Sequence, residues 1–145
     1  MGQISRLLRD HGTGVSFWCQ ACREMHAINV AGVQHVVPGW TDDEGEYHPE
    51  RKIPNTLPAA GWSWNGSVDK PTFMPSVLVT GMQTVRDESG RWTGGWKMGA
   101  DGKPLPRVCH SFVTDGRIQY LGDCTHELAG QTVDMVPWPG RKETS

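Results

Sequence analysis

Hydrophobic and polar positions in this chain alternate over short runs, and few stretches repeat at a helical period. The clearest case is a pair of β-forming runs, Val108 to Thr114 and Arg117 to Leu121, separated by Asp115-Gly116. That dipeptide between such runs predicts a two-residue hairpin. Closing the turn there pairs Val113 with Ile118, Phe112 with Gln119, Ser111 with Tyr120, His110 with Leu121 and Cys109 with Gly122. Because side chains alternate faces along a strand, the hairpin has two chemically distinct sides. One carries Cys109, Ser111, Val113, Ile118, Tyr120 and, with the strand continued, Cys124. The other carries His110, Phe112, Gln119, Leu121 and Asp123. Beyond it, Asp123 or Thr125 is placed to cap a short helix that Gly130 ends.

The same reading extends to the rest of the chain. VSFWCQACREMHAINV, from Val15, predicts strand, tight knuckle, strand. Gly61 to Thr80 predicts a turn at Asn65-Gly66 and a short buried strand at Val77-Leu78-Val79, with Trp62 and Trp64 as core. Residues 39–60 are acidic and then proline-rich, which predicts a long surface loop. Its Asp42, Asp43, Glu44 and His48 read as solvated charge rather than as a metal site. Residues 81–106 are glycine-rich and charged, and read as an exposed flap facing substrate. Trp92 and Trp96 within it either meet a partner or fold back onto the core. Residues 1–14 read as a lead-in or one helical turn and 137–145 as a tail, leaving 15–136 as a single domain. The expected class is α+β, mainly β: a small antiparallel-sheet domain with hairpins, long loops, one or two short helices and a zinc knuckle.

Composition narrows the functions. A chain of 145 residues buries a core without stapling. A net charge of −2 and the lack of a long basic run argue against a nucleic-acid partner. MGQISRLLRD is too short and polar for a signal peptide, and no apolar run is long enough to cross a bilayer. The expectation is therefore a cytoplasmic protein with no membrane partner. Four cysteines in that setting favour metal ligation over disulfides. Cys19 and Cys22 have C-x2-C spacing, and with Cys109 and Cys124 they make a four-thiolate structural zinc site. His26, at C-x2-C-x3-H, is a substitute ligand if one later cysteine is excluded. The alternative is that Cys109 and Cys124 are simply small buried apolar residues.

Ser76, His110, Asp123 and His126 contain what nucleophilic acyl transfer needs. A serine hydroxyl attacks only when an imidazole takes its proton, and a carboxylate fixes that imidazole's tautomer. Ser76 follows Pro75 at a strand entry and is read as the nucleophile. His126 is read as general base, Asp123 as its orienter, and His110 as a second imidazole near the oxyanion. Ser111 is the competing nucleophile, but the pleat turns it to the thiol side. A second enzymatic reading gathers His110, Asp123 and His126 around a hydrolytic zinc. A third is a non-catalytic, zinc-stabilised module that binds a host protein. No Gly-x-Ser-x-Gly or H-E-x-x-H pattern is present.

Two blocks carry a family resemblance: W-N-G…K-P-T-F-M-P-S-V-L-V, Trp64 to Val79, and C-H-S-F-V-T-D-G-R-I-Q-Y-L-G-D-C-T-H-E-L-A-G-Q-T-V, Cys109 to Val133. The chain resembles, over roughly Phe17 to Val136, small phage and prophage proteins that often carry the label ammonia monooxygenase. That label is incompatible with a chain lacking transmembrane segments. It is also similar to the peptidase component of bacterial ubiquitin-like, Bub-type, conjugation operons. The resemblance implies a phage-associated serine protease acting on ubiquitin-like tails or conjugates, in the host cytoplasm. The matching positions are Ser76, His110, Asp123 and His126, and the four cysteines fit a structural zinc.

Overall fold

A computed structural model of the chain describes residues 3–11, 14–30, 34–53 and 61–139. Strands β1 (Leu8–Asp10), β2 (Gly14–Cys19) and β3 (Glu24–Asn29) form an antiparallel meander. Alternation is strict in β3, where His26 and Ile28 point inward and Met25, Ala27 and Asn29 outward. Glycine is required at the start of β2, because a Cβ on Gly14 would lie 1.9 Å from the Ile28 carbonyl oxygen. Strands β4 (His35–Val37), β5 (Trp40–Thr41), β6 (Tyr47–His48) and β7 (Arg51–Ile53) form two nested ladders, β5 with β6 inside β4 with β7. The acidic run is thus a hydrogen-bonded turn: Asp42 Oδ1 accepts from the amides of Glu44 and Glu46, and Oδ2 lies 2.7 Å from His48 Nε2. The part of the expected loop at 54–60 lies outside the described residues.

The sheet that carries the chemistry has five strands. They are β8 (Ser63–Trp64), β9 (Phe73–Met82), β12 (Pro106–Thr114), β13 (Arg117–Tyr120) and β14 (Thr132–Asp134), in the order β14-β13-β12-β9-β8. Between β9 and β12 the chain makes the hairpin β10 (Thr84–Arg86) and β11 (Trp92–Trp96). The β12–β13 turn falls at Asp115-Gly116, both with positive φ (55° and 79°), the paired left-handed conformation of a type I′ turn. Its register pairs Ser111 with Tyr120, Phe112 with Gln119 and Val113 with Ile118, as the alternation predicts. Cys109, Ser111, Val113, Ile118, Tyr120 and Cys124 are buried. All but Ser111 form one apolar core with Val15, Phe17 and Cys19 of β2, and the rings of Phe17 and Phe73 stack across it at 6.4 Å.

Three expectations change. No helix occurs among the described residues; the segment after β13 is a succession of turns. The physical reason is that the expected capping residue bonds elsewhere. Thr125 Oγ1 bonds the amide and carbonyl of Val108, which commits that residue to the sheet. The N-terminal segment is not a lead-in, since Ile4 and Leu8 are in the core and β1 pairs with β2. Trp138 likewise is no free tail: its indole donates to Leu7 O at 3.0 Å, and the Arg9 guanidinium sits 4.1 Å over its ring. Residues 140–145 lie outside the described ones.

The flap also stands elsewhere than expected. Trp92 and Trp96 are half-exposed and pack on each other at 4.9 Å. Arg86 donates to the Cys22 carbonyl at 3.3 Å, which sets the hairpin over the knuckle. Its first strand begins at Thr84, roughly 26 Å along the chain from Ser76 at about 3.3 Å per residue.

Leu8 is fully buried, so Leu8→Ala is expected to cost about 2–5 kcal/mol. Urea unfolding measures this; a change within about 0.5 kcal/mol would mean that β1 contributes nothing to the core.

Candidate active site and metal centre

Adjacent strands β9 and β12 bring Ser76 and His110 together on the outer sheet face. The ladder pairs Val77 with Ser111 and Phe73 with Val113, so β9 carries extra residues between these partners. This irregularity includes the cis Met74–Pro75 peptide. Ser76 Oγ lies 2.9 Å from His110 Nε2, and His110 Nδ1 lies 3.0 Å from Asp123 Oδ2. With the proton on Nδ1, the ring donates to Asp123 and Nε2 accepts the Ser76 hydroxyl. The Trp62 indole donates to the Ser76 carbonyl at 3.0 Å and fixes the backbone under the hydroxyl.

Asp123 reaches its place because the loop around it is fastened to β12 on its far side. Cys124 Sγ accepts from the His110 amide and donates to the His110 carbonyl, each at 3.2 Å. Thr125 Oγ1 makes the same paired bonds with Val108, at 3.0 and 3.3 Å. The His110 side chain is 25% exposed and Asp123 56% exposed. Two surface hollows, one beside Trp40 and Trp138 and one beside Cys22 and Arg107, are lined by neither Ser76 nor His110. The relay stands on the outer face of the sheet, with Asp123 and the neighbouring Leu78 exposed.

The imidazole between Ser76 and Asp123 is that of His110, where sequence reasoning had put His126. His126 instead packs edge-on against Tyr120, with centroids at 4.6 Å, and its Nδ1 accepts from the Leu128 amide. Burial lowers its pKa and favours the neutral ring. Ser111 is 2% exposed and faces inward, away from the relay. Among the described residues, His110, Asp123 and His126 do not gather their ligand atoms within reach of one ion. That removes the geometry of the hydrolytic zinc reading.

On the inner face, Cys19 from β2, Cys22 from the knuckle, His26 from β3 and Cys109 from β12 place one ligand atom each within 4.8 Å of one another. All four cysteines of the chain are free thiols. His26 Nδ1 lies 3.2 Å from the Met25 carbonyl. Donation there leaves Nε2 as a bare lone pair, and this atom is buried with no hydrogen-bond partner. Cys19 Sγ lies 4.0 Å from Cys109 Sγ and 3.2 Å from the Tyr120 hydroxyl. The hydrogen bond with Cys109 pulls the Cys19 thiol well below its usual range and pushes Cys109 well up. Three crowded thiols cannot all ionise without a cation, and three sulfurs with one imidazole form a closed tetrahedral set suited to zinc. Cys124 is not in this set. It falls in a second group with Cys109 and His126. The expected four-thiolate site thus becomes three thiols and His26, the substitute that C-x2-C-x3-H spacing had flagged.

The Trp62 bond and the Cys124 and Thr125 fastenings have no local signature, since their partners lie 14 to 17 residues away. A family model described as bacterial ubiquitination-like system serine protease (BubE) matches residues 2–121. The match includes Ser76 and His110 and ends before Asp123. No curated protein and no solved structure matches the chain.

Cobalt(II) loaded into the purified chain is expected to give tetrahedral bands and sulfur-to-metal charge transfer at about one ion per chain. His26→Ala and Cys22→Ser should weaken binding, while Cys124→Ser should keep the stoichiometry. The reverse pattern, with loss in Cys124→Ser and retention in His26→Ala, would restore the four-thiolate set.

Proposed function

The chain belongs to the family of bacterial ubiquitination-like system serine proteases (BubE), and from that membership we propose that it is a serine peptidase that cleaves the extended C-terminal tail of a ubiquitin-like protein, or amide and ester conjugates made through it. The observation that carries this reading is the continuous relay from Ser76 Oγ to His110 to Asp123, at 2.9 and 3.0 Å. Serine and threonine hydroxyls are plentiful on sheets, but one bonded to an imidazole that is itself oriented by a carboxylate is the arrangement nucleophilic catalysis requires.

In this mechanism His110 Nε2 takes the Ser76 proton as Oγ bonds the scissile carbonyl carbon. The imidazolium then returns that proton to the departing amine or alcohol, leaving an acyl-serine. Water, deprotonated by the same nitrogen, breaks the ester and releases the carboxylate, and the proton passes back to Ser76. Asp123 holds Nδ1–H throughout and stabilises the transient cation. Zinc held by Cys19, Cys22, His26 and Cys109 has a structural role in this reading, joining β2 and β3 to β12 under His110. Three thiols serving as metal ligands must stay reduced, which suits a reducing cytoplasm, the host's for a phage-encoded chain.

A fluorophosphonate probe tests the relay. Wild type and Ser111→Ala should label, Ser76→Ala should not, and His110→Ala should label about 10²–10⁴-fold more slowly. Asp123→Asn is also expected to slow labelling, and His126→Ala to leave it largely intact. Labelling that survives in His110→Ala but is lost in His126→Ala would assign the base to His126. Absence of labelling in the wild type would favour the non-catalytic binding module.

A further inference from the structure

Exposed apolar side chains on the outer sheet face collect around the relay. Met74 and Leu78, on either side of Ser76 along β9, are 64% and 54% exposed. Phe112, next outward from His110 on β12, is 43% exposed. Away from the pair the same face turns polar at Thr80, Thr114, Arg117 and Gln119, with Met82 beyond Thr80 at the far end of β9. Leaving three large apolar groups in water on one patch is unfavourable, at about 25 cal/mol per Å² of apolar surface, and such patches mark binding surfaces.

We propose that Met74, Leu78 and Phe112 form the specificity surface of this site, and that it selects an extended peptide segment bearing a bulky apolar side chain within two residues of the cleaved bond. The proposal rests on Ser76 being the nucleophile. A scissile carbonyl must come within about 3–3.5 Å of Ser76 Oγ. Substrate residues then run outward at about 3.3 Å each, and alternate side chains lie about 7 Å apart. Leu78 pairs with His110 in the ladder, and Met74 lies two places before Ser76. The first or second substrate residue on each side of the bond must therefore cross this patch. The face fits an extended chain, since Met74, Leu78 and Phe112 stand exposed along it. Asp123 beside His110 disfavours an acidic residue at the same place.

The test uses the full chain, purified with zinc, and quenched-fluorescence peptides in which each of the four positions around one bond carries every amino acid in turn. Fluorophosphonate labelling of Ser76 is measured on the same preparation. The expected result is labelling together with at least a ten-fold preference for Leu, Ile, Met or Phe over Asp or Ser at one of these positions. Leu78→Lys or Phe112→Lys should shift that preference towards acidic residues, whereas Val36→Ser, exposed on β4 in a separate ladder, should leave it unchanged. A labelled Ser76 with no apolar preference, or with no peptide cleaved, overturns this inference and leaves the nucleophile in place. No labelling overturns both. If Phe112→Lys converts a dimer to a monomer without changing the preference, the patch is a self-association surface and the inference fails.

Discussion

The site depends on one constraint: successive residues of a β-strand point to opposite faces. In β12 this sends Cys109 into the core, where it meets Cys19, and His110 outward, where it meets Ser76. The next loop repeats the division, with Cys124 buried and Asp123 exposed. A slip of one residue in the register would put the imidazole among the thiols and a thiol beside the serine. The type I′ turn at Asp115-Gly116 resists that slip, because only a two-residue loop closes there with both φ values positive.

Orientation alone would not complete the relay, because Asp123 lies beyond the regular end of β13. Its position follows from the side chains of Cys124 and Thr125, which bond the amides and carbonyls of His110 and Val108 as a neighbouring strand's backbone would. Each such bond contributes only about 0.5–1.5 kcal/mol. Their value is geometric: they fix both neighbours of the carboxylate relative to the backbone that carries the imidazole.

The hairpin, its register and its two chemical faces were legible because they rest on local signals, a turn dipeptide flanked by alternating runs. The placing of Ser111 on the thiol side followed from the same alternation, and Ser111 is buried. Two other features were illegible for a physical reason. His110 and His126 both lie near Asp123 in the sequence or across the hairpin, and only the β9–β12 ladder decides which ring meets Ser76. Likewise Cys124 and His26 were both available to the metal. Spacing records that a thiol exists, but not that Cys124 Sγ is turned to the His110 backbone. The short helix failed for a related reason. Thr125 has the chemistry of a cap, and a strand edge 17 residues earlier claims its hydroxyl instead.

The family match ends at Leu121 and assigns a role to no residue, so Ser76, His110 and Asp123 all rest on geometry. That makes the rigidity beneath His110 more important to the reading than the number of matching residues. Cys109 is His110's neighbour in sequence, and its partners Cys19, Cys22 and His26 come from elements more than 80 residues away. An ion bound there would close a very long loop, and the entropy of closing it rises only slowly with length. A single ligation event would thus hold the three-stranded meander against the five-stranded sheet at the residue next to His110. Under this arrangement an ion bound there would act on the proposed relay without touching substrate, by deciding how firmly the strand that carries the imidazole is held.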